Sequence, residues 1–148
     1  MEKIPEFIAN HLFLFSLLIG LSALLLWNIF GHAAAGIMAV NPAEATRLMN
    51  HEKGIVLDLR KEDDFNFGHI LNAINIPEEN ISEQKEKWSK YNNRPVILCC
   101  KHGNASPRIA RLLKQEGLEK LYFLKGGLQS WRQANLPLAN SRPDSQET

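Results

Sequence analysis

The residues best suited to chemistry are two adjacent cysteines, Cys99 and Cys100, at the junction of a predicted strand and a predicted helix. Val96–Cys99 is a short apolar run typical of a buried strand. Ser106 followed by Pro107 predicts a helix start, with Ser106 as the cap and Pro107 in the first turn. In open α/β sheets, ligands bind beyond the carboxyl ends of the strands. Cys100 is therefore predicted to lie where a binding site is expected.

The loop that begins at Cys100 favours the ionised form of its thiol. The backbone N–H groups of a tight loop, together with the N-terminus of the following helix, direct partial positive charge towards the sulfur. Lys101 and His102 add positive charge, and Gly103 permits the backbone turn. Because the thiolate is the nucleophilic form of cysteine, we expect Cys100 to act as a nucleophile.

The second cysteine and the histidines admit other roles. A disulfide between Cys99 and Cys100 would close a strained ring, so reduced thiols are expected. Cys99 is predicted to be a buried strand residue, and the alternative is a resolving thiol that attacks a persulfide on Cys100. His69 and His102 do not complete the paired ligand spacing of a zinc site, so we expect no metal and no cofactor.

The segments around the cysteines alternate between strand-like and helix-like patterns. The β-prone runs are residues 55–59, 73–76, 96–99 and 121–124, and the helical stretches are residues 82–91, 107–116 and 128–134. Residues 37–40 are a further apolar stretch, which leads into a capping-box-like helix start at Asn41, Pro42 and Glu44. Continuous apolar strands separated by helices predict an α/β fold with a parallel sheet covered on both faces.

Charged residues are distributed unevenly along the chain. Residues 1–43 carry only Glu2, Lys3 and Glu6, whereas residues 44–148 carry the other 30 charges, 16 basic and 14 acidic. This balance lacks the clustered Lys and Arg of a nucleic-acid-binding protein, and it also excludes a disordered acidic tail protein. The charged part, about 105 residues long, is sufficient for one domain and too short for two.

The charge-poor region predicts one N-terminal transmembrane helix over about residues 7–30. Residues 12–30 are interrupted only by Ser, Gly and Asn, and a helix of that length spans about 28 Å, close to the hydrocarbon thickness of a bilayer. Apolar residues cover all faces of this helix, which a domain of about 105 residues could hardly enclose. The alternative is a cleaved signal peptide, but the apolar run exceeds the usual length.

This organisation places an N-terminal segment at residues 1–30, a linker at 31–36, a domain at 37–138 and a flexible tail at 139–148. Lys3 is the only basic residue before the predicted helix, so charge barely specifies its orientation. Reduced thiols favour the cytoplasmic side of the membrane. We therefore expect a single-pass inner-membrane protein with its domain on that side.

Three motifs in the expected order resemble the rhodanese-like family. Residues 100–106, CKHGNAS, are similar to the active loop of single-domain members, typically CRSGNRS. Residues 57–77 resemble the DVR, EF, GHI and NIP signature, with Asn72 where glycine is usual, and residues 124–131 resemble the closing L-x-G-G-x-x-x-W motif. The resemblance covers about residues 37–138 and implies a rhodanese-like, doubly wound parallel sheet. With the preceding helix, the chain is similar to bacterial membrane-anchored members.

The resemblance implies a sulfurtransferase that carries sulfane sulfur as a persulfide. Carried over by position, Cys100 is the catalytic nucleophile, and Asp58 and Arg60 are supporting residues. The substrate-binding loop would be Lys101, His102, Gly103, Asn104, Ala105 and Ser106. The implied partners are a sulfane-sulfur donor, namely thiosulfate or a protein or low-molecular-weight persulfide, and a thiol or cyanide acceptor. The lipid bilayer and other membrane proteins are further expected partners.

One position departs from the family pattern. Ala105 stands where many members have an arginine that contacts an anionic donor, which disfavours efficient use of thiosulfate. Lys101 or Arg108 could supply positive charge, but neither offers the arginine geometry at the same place. The alternative function is therefore a catalytically weak, membrane-tethered interaction module. A cysteine phosphatase is disfavoured because its loop needs an arginine where this chain has Ser106.

Overall fold

The structure is a computed structural model that describes residues 11–34 and 36–140. The chain divides into two units, Met1–Ala35 and Gly36–Thr148. The N-terminal unit contains helix α1, Leu12–Ala34. Between residues 12 and 27, its large apolar side chains other than Phe15 are exposed, from 54% at Leu26 to 81% at Trp27. The predicted linker at residues 31–36 is thus helical as far as Ala34, because alanine has the highest helix propensity.

The predicted transmembrane helix finds no support in the structure. Of the helices that the structure describes, none has the extent of apolar sequence that a bilayer-spanning helix requires. Residues 7–10 of the predicted helix lie outside the described residues.

The second unit is built on a parallel sheet. The strands of the chain are β1 Ile37–Val40, β2 Ile55–Asp58, β3 His69–Ile70, β4 Ile74–Asn75, β5 Val96–Cys99, β6 Leu121–Leu124 and β7 Leu138–Ala139. Five of them form one sheet in the order β1-β6-β5-β2-β4, with every neighbouring pair parallel. The predicted α/β fold with a parallel sheet is therefore confirmed.

The helices of the second unit follow the local sequence signals. They are α2 Pro42–His51, α3 Glu62–Phe67, the 3₁₀ segments Glu78–Asn80 and Ser82–Tyr91, α4 Ser106–Gln115 and α5 Gly127–Gln133. The predicted capping box is present: the Asn41 side chain accepts the Glu44 N–H at 2.9 Å, and the Glu44 carboxylate accepts the Asn41 N–H at 2.8 Å. Helices α4 and α5 each begin and end one residue earlier than predicted.

A small second sheet was not predicted. Strands β3 and β7 pair antiparallel, with His69 opposite Ala139 and Ile70 opposite Leu138. Each strand has only two residues, so neither shows a periodic pattern, and their partners are distant in sequence. The predicted tail at 139–148 therefore begins inside β7, and its residues 141–148 lie outside the described part of the chain.

The core of the second unit surrounds the central strand β5. Its residues Ile97 and Leu98 are 0% exposed, as is Leu57 on the neighbouring strand β2. A strand buried on both faces requires a continuous apolar run, which explains the pattern in the sequence. Trp88 and Trp131 are also buried, so both tryptophans pack within the fold.

This strand order determines which loops meet. Strand β5 lies between β2 and β6, and all three run in the same direction. The carboxyl ends of parallel neighbours lie at the same edge of a sheet, so the loop after Cys99 is flanked by the segments that follow Asp58 and Leu124. All three of the resembling motifs therefore contribute to one edge of the sheet.

We predict that Asn72 is needed for its backbone conformation. It has φ +61°, in the left-handed region that glycine and asparagine tolerate better than other residues. Asn72→Gly should leave the free energy of unfolding within about 0.5 kcal/mol of wild type, whereas Asn72→Val should lower it by about 1–2 kcal/mol. Urea unfolding followed by circular dichroism measures both, and equal stability of the two variants would contradict the prediction.

Candidate active site

The loop between β5 and α4 holds the Cys100 sulfur against a backbone amide. Gly103 donates its N–H to Cys100 Sγ at 3.1 Å, and the backbone turns there with φ +87°. Cys100 is 7% exposed and lines a cleft of about 340 Å³. An N–H group directed at sulfur stabilises negative charge on it, which a thiolate nucleophile requires.

This cavity, the Cys100 cleft, brings together most of the loop residues that the sequence indicated. Its lining consists of Leu59, Arg60, Lys61, Asp64, Glu78, Glu79, Cys100, Lys101, His102, Asn104 and Ala105. Of the other predicted site residues, Gly103 contributes its backbone N–H to the sulfur, and Asp58 and Ser106 are buried outside the lining. The cleft is therefore bounded by the loop, by the segment after β2 and by the first 3₁₀ segment.

The predicted role of Ser106 as a helix cap is wrong. Ser106 is the first residue of α4, and the cap position belongs to Ala105, whose backbone is helical at φ −78° and ψ −34°. A capping side chain requires an extended backbone at the cap residue, and Ala105 has neither that conformation nor a polar side chain. Ser106 is 0% exposed, and its Oγ has no hydrogen-bond partner among the described residues.

Helix α5 contacts the loop through backbone hydrogen bonds. Leu128 donates its N–H to the Cys100 carbonyl at 2.8 Å, and Gln129 donates its N–H to the Lys101 carbonyl at 3.3 Å. Gly127 has φ +59°, and a Cβ atom there would lie 2.2 Å from the Cys100 carbonyl oxygen and 2.7 Å from the Gly103 nitrogen. Gly127, the second glycine of the closing motif, is therefore needed because no side chain fits there between α5 and the loop.

A buried ion pair supports the wall of the cleft. Arg60 Nε lies 2.9 Å from Asp58 Oδ1, and Arg60 Nη2 lies 2.6 Å from Asp58 Oδ2. The same guanidinium donates to the carbonyls of Asp64 and Gly68 at 3.0 and 2.8 Å. Asn75 donates to the carbonyls of Asp58 and Arg60, at 3.1 and 2.8 Å. Arg60 thus has acceptors in β2, in α3 and at Gly68 just before β3, and it lines the cleft in a fixed position.

Cys99 is enclosed in the core. It is 0% exposed, and its Sγ lies 3.7 Å from the Cys100 carbonyl oxygen. Burial, followed by the nearby Asp58 carboxylate, raises the pKa of the Cys99 thiol far above its ordinary value. Cys99 therefore stays protonated at neutral pH, as a buried strand residue does, whereas a resolving thiol needs the thiolate form and access.

The two histidines of the motifs have hydrogen-bond partners of their own. His69 Nδ1 lies 2.9 Å from the Phe65 carbonyl oxygen, and its ring stacks on the Phe65 ring at 3.8 Å between centroids. His102 is exposed, and its Nδ1 lies 2.8 Å from Gln129 Oε1. Within residues 11–34 and 36–140, no three His, Cys, Asp or Glu side chains are grouped in a way that could hold a metal ion.

The charges around the Cys100 cleft are mixed. Glu78, Glu79 and Asp64 contribute three carboxylates to its lining, against the basic residues Arg60, Lys61 and Lys101. Arg108, one of two residues that could have replaced the arginine absent at Ala105, forms an ion pair with Glu78. The other, Lys101, does line the cleft. Because the Arg60 guanidinium is already occupied by Asp58, the cleft offers a small anionic donor no free arginine fork.

Several residues at this site were not identified from the sequence. Glu78 and Glu79 follow the NIP motif, and nothing local indicates that their 3₁₀ segment faces the cysteine loop. Gln129 and Arg132 lie on α5, and the sequence pattern does not distinguish them from ordinary exposed helix residues. Only the paired glycines before Gln129 carried a signal, since consecutive glycines at a helix start indicate a close backbone approach.

Comparison with known proteins gives the chain a family context. The model of the Rhodanese-like domain family matches residues 41–134. The uncharacterized protein YibN of Escherichia coli K12 is 32% identical over 143 residues, which are 96% of this chain and 100% of YibN. The thiosulfate sulfurtransferase GlpE of Coxiella burnetii is 30% identical over 93 residues, which are 63% of this chain and 85% of GlpE.

A solved structure shows the same architecture. The crystal structure of a rhodanese-related protein from Thermoplasma volcanium matches with a TM-score of 0.58 at 34% sequence identity. The match covers 69% of this chain and 97% of that protein.

We predict that Gly127 is essential for the loop conformation. In Gly127→Ala the new Cβ would meet backbone atoms of Cys100, His102 and Gly103 at 2.2–2.8 Å, and backbone cannot move aside as a flexible side chain can. The free energy of unfolding should fall by about 3 kcal/mol or more, since the variant combines overpacking with left-handed strain. The alkylation rate of Cys100 by iodoacetamide should change as well.

Gly117→Ala is the matched control. Gly117 also has positive φ, at +97°, but a Cβ there would have nothing within 4 Å. This variant should lose only about 1–2 kcal/mol of stability and keep the wild-type alkylation rate. Equal effects of the two substitutions would show that the contact between α5 and the loop does not matter.

Proposed function

Because this chain belongs to the rhodanese-like domain family, we propose that it is a sulfurtransferase that carries sulfane sulfur as a persulfide on Cys100. The observation that carries the proposal is the position of the Cys100 sulfur, which lines a cleft and accepts the Gly103 N–H at 3.1 Å. The similarity to a thiosulfate sulfurtransferase over 93 residues agrees with this function.

The proposed loading step is a displacement at sulfur. The Cys100 thiolate attacks the outer sulfur of the donor, and a new S–S bond forms. The S–S bond within the donor breaks, and its electron pair leaves with sulfite from thiosulfate or with a thiolate from an organic persulfide. The sulfane sulfur is transferred without an external oxidant, and the Gly103 N–H stabilises the negative charge on the attacking sulfur.

The proposed unloading step is the same displacement with a different acceptor. A thiolate or cyanide attacks the outer sulfur of the Cys100 persulfide, and the Cys100 thiolate leaves with the electron pair of the broken bond. The leaving thiolate is again stabilised by the Gly103 N–H. Because α5 and the loop meet through backbone, the sulfur stays in one place during both steps.

A second candidate function is a catalytically weak interaction module. The observation that favours it is the lining of the Cys100 cleft, where Ala105 replaces a positively charged residue and Glu78 and Glu79 add negative charge. Both functions use the same fold, and they differ in whether Cys100 accepts sulfur.

We predict that incubation of the chain with a sulfane-sulfur donor adds about 32 Da, the mass of one sulfur atom, to Cys100. Intact-mass spectrometry before and after a reducing agent measures the adduct and its reversal. Cys100→Ser should abolish the adduct, and Cys99→Ser should retain it because Cys99 is buried and protonated. A wild-type chain that remains unmodified with both thiosulfate and an organic persulfide would favour the interaction module.

We propose further that the apolar N-terminal segment at residues 7–30, most of which lies in α1, attaches the chain to the inner membrane as a single-pass anchor, with the domain on the cytoplasmic side. The exposed side chains of α1 support attachment to lipid, since leucines such as Leu18 and Leu24 are 59% and 69% exposed. The unpaired cysteines support the cytoplasmic side, where thiols stay reduced. At the membrane, the chain would encounter membrane proteins as sulfur donors or acceptors.

We predict that the chain remains in the membrane pellet after washing with alkaline carbonate and is released by detergent. A variant that begins at Gly36 should appear in the supernatant, because α1 carries the exposed apolar surface. Protease added to intact spheroplasts should leave the domain uncut. Release of the full chain by the carbonate wash would exclude a membrane-embedded anchor. Cleavage of the domain in spheroplasts would show that it lies on the outer side of the membrane.

A further inference from the structure

A second cleft adjoins the Cys100 cleft. It has a volume of about 400 Å³, and Arg60, Asp64, Lys101 and His102 line both cavities. Its remaining lining residues are Phe67, Leu128, Gln129 and Arg132, and we name it the Arg132 cleft. Each cavity alone is within the range of small-molecule sites, so the pair offers far more room than a small inorganic donor needs.

The Arg132 cleft has positive charge that no carboxylate of the described chain neutralises, apart from Asp64 in its own lining. Arg132 and Lys101 form no ion pair with any described residue. The charge of Arg60, in contrast, is matched by the buried carboxylate of Asp58. A guanidinium at the edge of a cleft can bind a carboxylate through two parallel N–H groups.

The two clefts differ in electrostatic character. In the Cys100 cleft, Glu78 is paired with Arg108, which leaves Asp64 and Glu79 opposite Lys61 and Lys101. The Arg132 cleft contains only Asp64 as an acidic residue, against Arg132 and the shared Lys101. The charges are therefore balanced beside the sulfur, whereas the Arg132 cleft has an excess of positive charge that favours an anionic group.

The Arg132 cleft also has an apolar surface. Phe67 is 68% exposed although it is aromatic, and Leu128 lines the cleft beside it. An exposed aromatic ring beside an unpaired guanidinium suits an organic ligand with an apolar body and an anionic end.

We propose that the Arg132 cleft binds the carboxylate end of an organic thiol while its sulfur reacts at Cys100. The proposal rests on the proposed sulfurtransferase function and specifies its substrate class as carboxylate-bearing thiols and their persulfides. The thiol sulfur lies in the Cys100 cleft, its body crosses the shared lining at Lys101 and His102, and its carboxylate pairs with Arg132. Thiosulfate is too small to place one end at Cys100 and the other at Arg132.

In the transfer step the acceptor thiolate attacks the outer sulfur of the Cys100 persulfide. A sulfur–sulfur bond forms in the acceptor, the S–S bond at Cys100 breaks, and its electron pair returns to the Cys100 thiolate. The product is the acceptor persulfide. The contact between Arg132 and the carboxylate increases the rate by orienting the acceptor and takes no part in the bond changes.

The test uses a matched pair of acceptors, glutathione and glutathione diethyl ester, which differ in whether the carboxylates are charged. The full chain in detergent is loaded with persulfide, and its discharge is followed in single turnovers by intact mass. Wild type should react faster with glutathione, and Arg132→Gln should slow that reaction about three- to fivefold, as expected for an exposed ion pair. The reaction with the ester should be unchanged, and Arg132→Lys should restore part of the preference.

Arg94→Gln is the control variant, because Arg94 is exposed and does not line either cleft. It should leave both rates at the wild-type value. Equal rates with the two acceptors, or an equal loss with both in Arg132→Gln, would overturn the carboxylate site while persulfide loading still supported the sulfurtransferase. A wild-type chain that never loads a persulfide would overturn the sulfurtransferase function and this site with it.

Discussion

The geometry of the site depends on a contact between two stretches of backbone. At the N-terminus of α5, Leu128 donates its N–H to the Cys100 carbonyl at 2.8 Å. The two backbones approach so closely at Gly127 that no side chain fits between them. The position of the sulfur is therefore determined by main-chain atoms. The exposed side chains of Lys101 and Asn104 do not take part in this backbone contact, so they can vary in chemistry without displacing the nucleophile.

The buried pair of Asp58 and Arg60 supports the wall of the Cys100 cleft. Removing two charges from water is unfavourable, and it is tolerated here because the guanidinium has a carboxylate and two carbonyls as acceptors. Loss of one partner would leave an unpaired buried charge, at a cost of roughly 3–5 kcal/mol. The pair therefore supplies shape to both clefts while it adds little net charge to either.

Features encoded by neighbouring residues were predicted well from the sequence. The continuous apolar run of β5 and the capping box at Asn41 and Glu44 are local, and the structure contains both. The contacts that complete the site join residues far apart in sequence, such as Glu78 with Arg108, and no local pattern encodes them. Ser106 shows a different limit: its type suits a cap, but the backbone of Ala105 enters the helix one residue early.

The burial of Cys99 has a consequence for the lifetime of a loaded cysteine. The chain contains two cysteines, and the one beside Cys100 is inaccessible and protonated. An internal thiol that could reach Cys100 would expel the outer sulfur as hydrogen sulfide and leave a disulfide behind. Because that route is closed, a persulfide on Cys100, as proposed, would keep its outer sulfur until an external acceptor attacks it, and the protein would not release toxic hydrogen sulfide by an internal reaction.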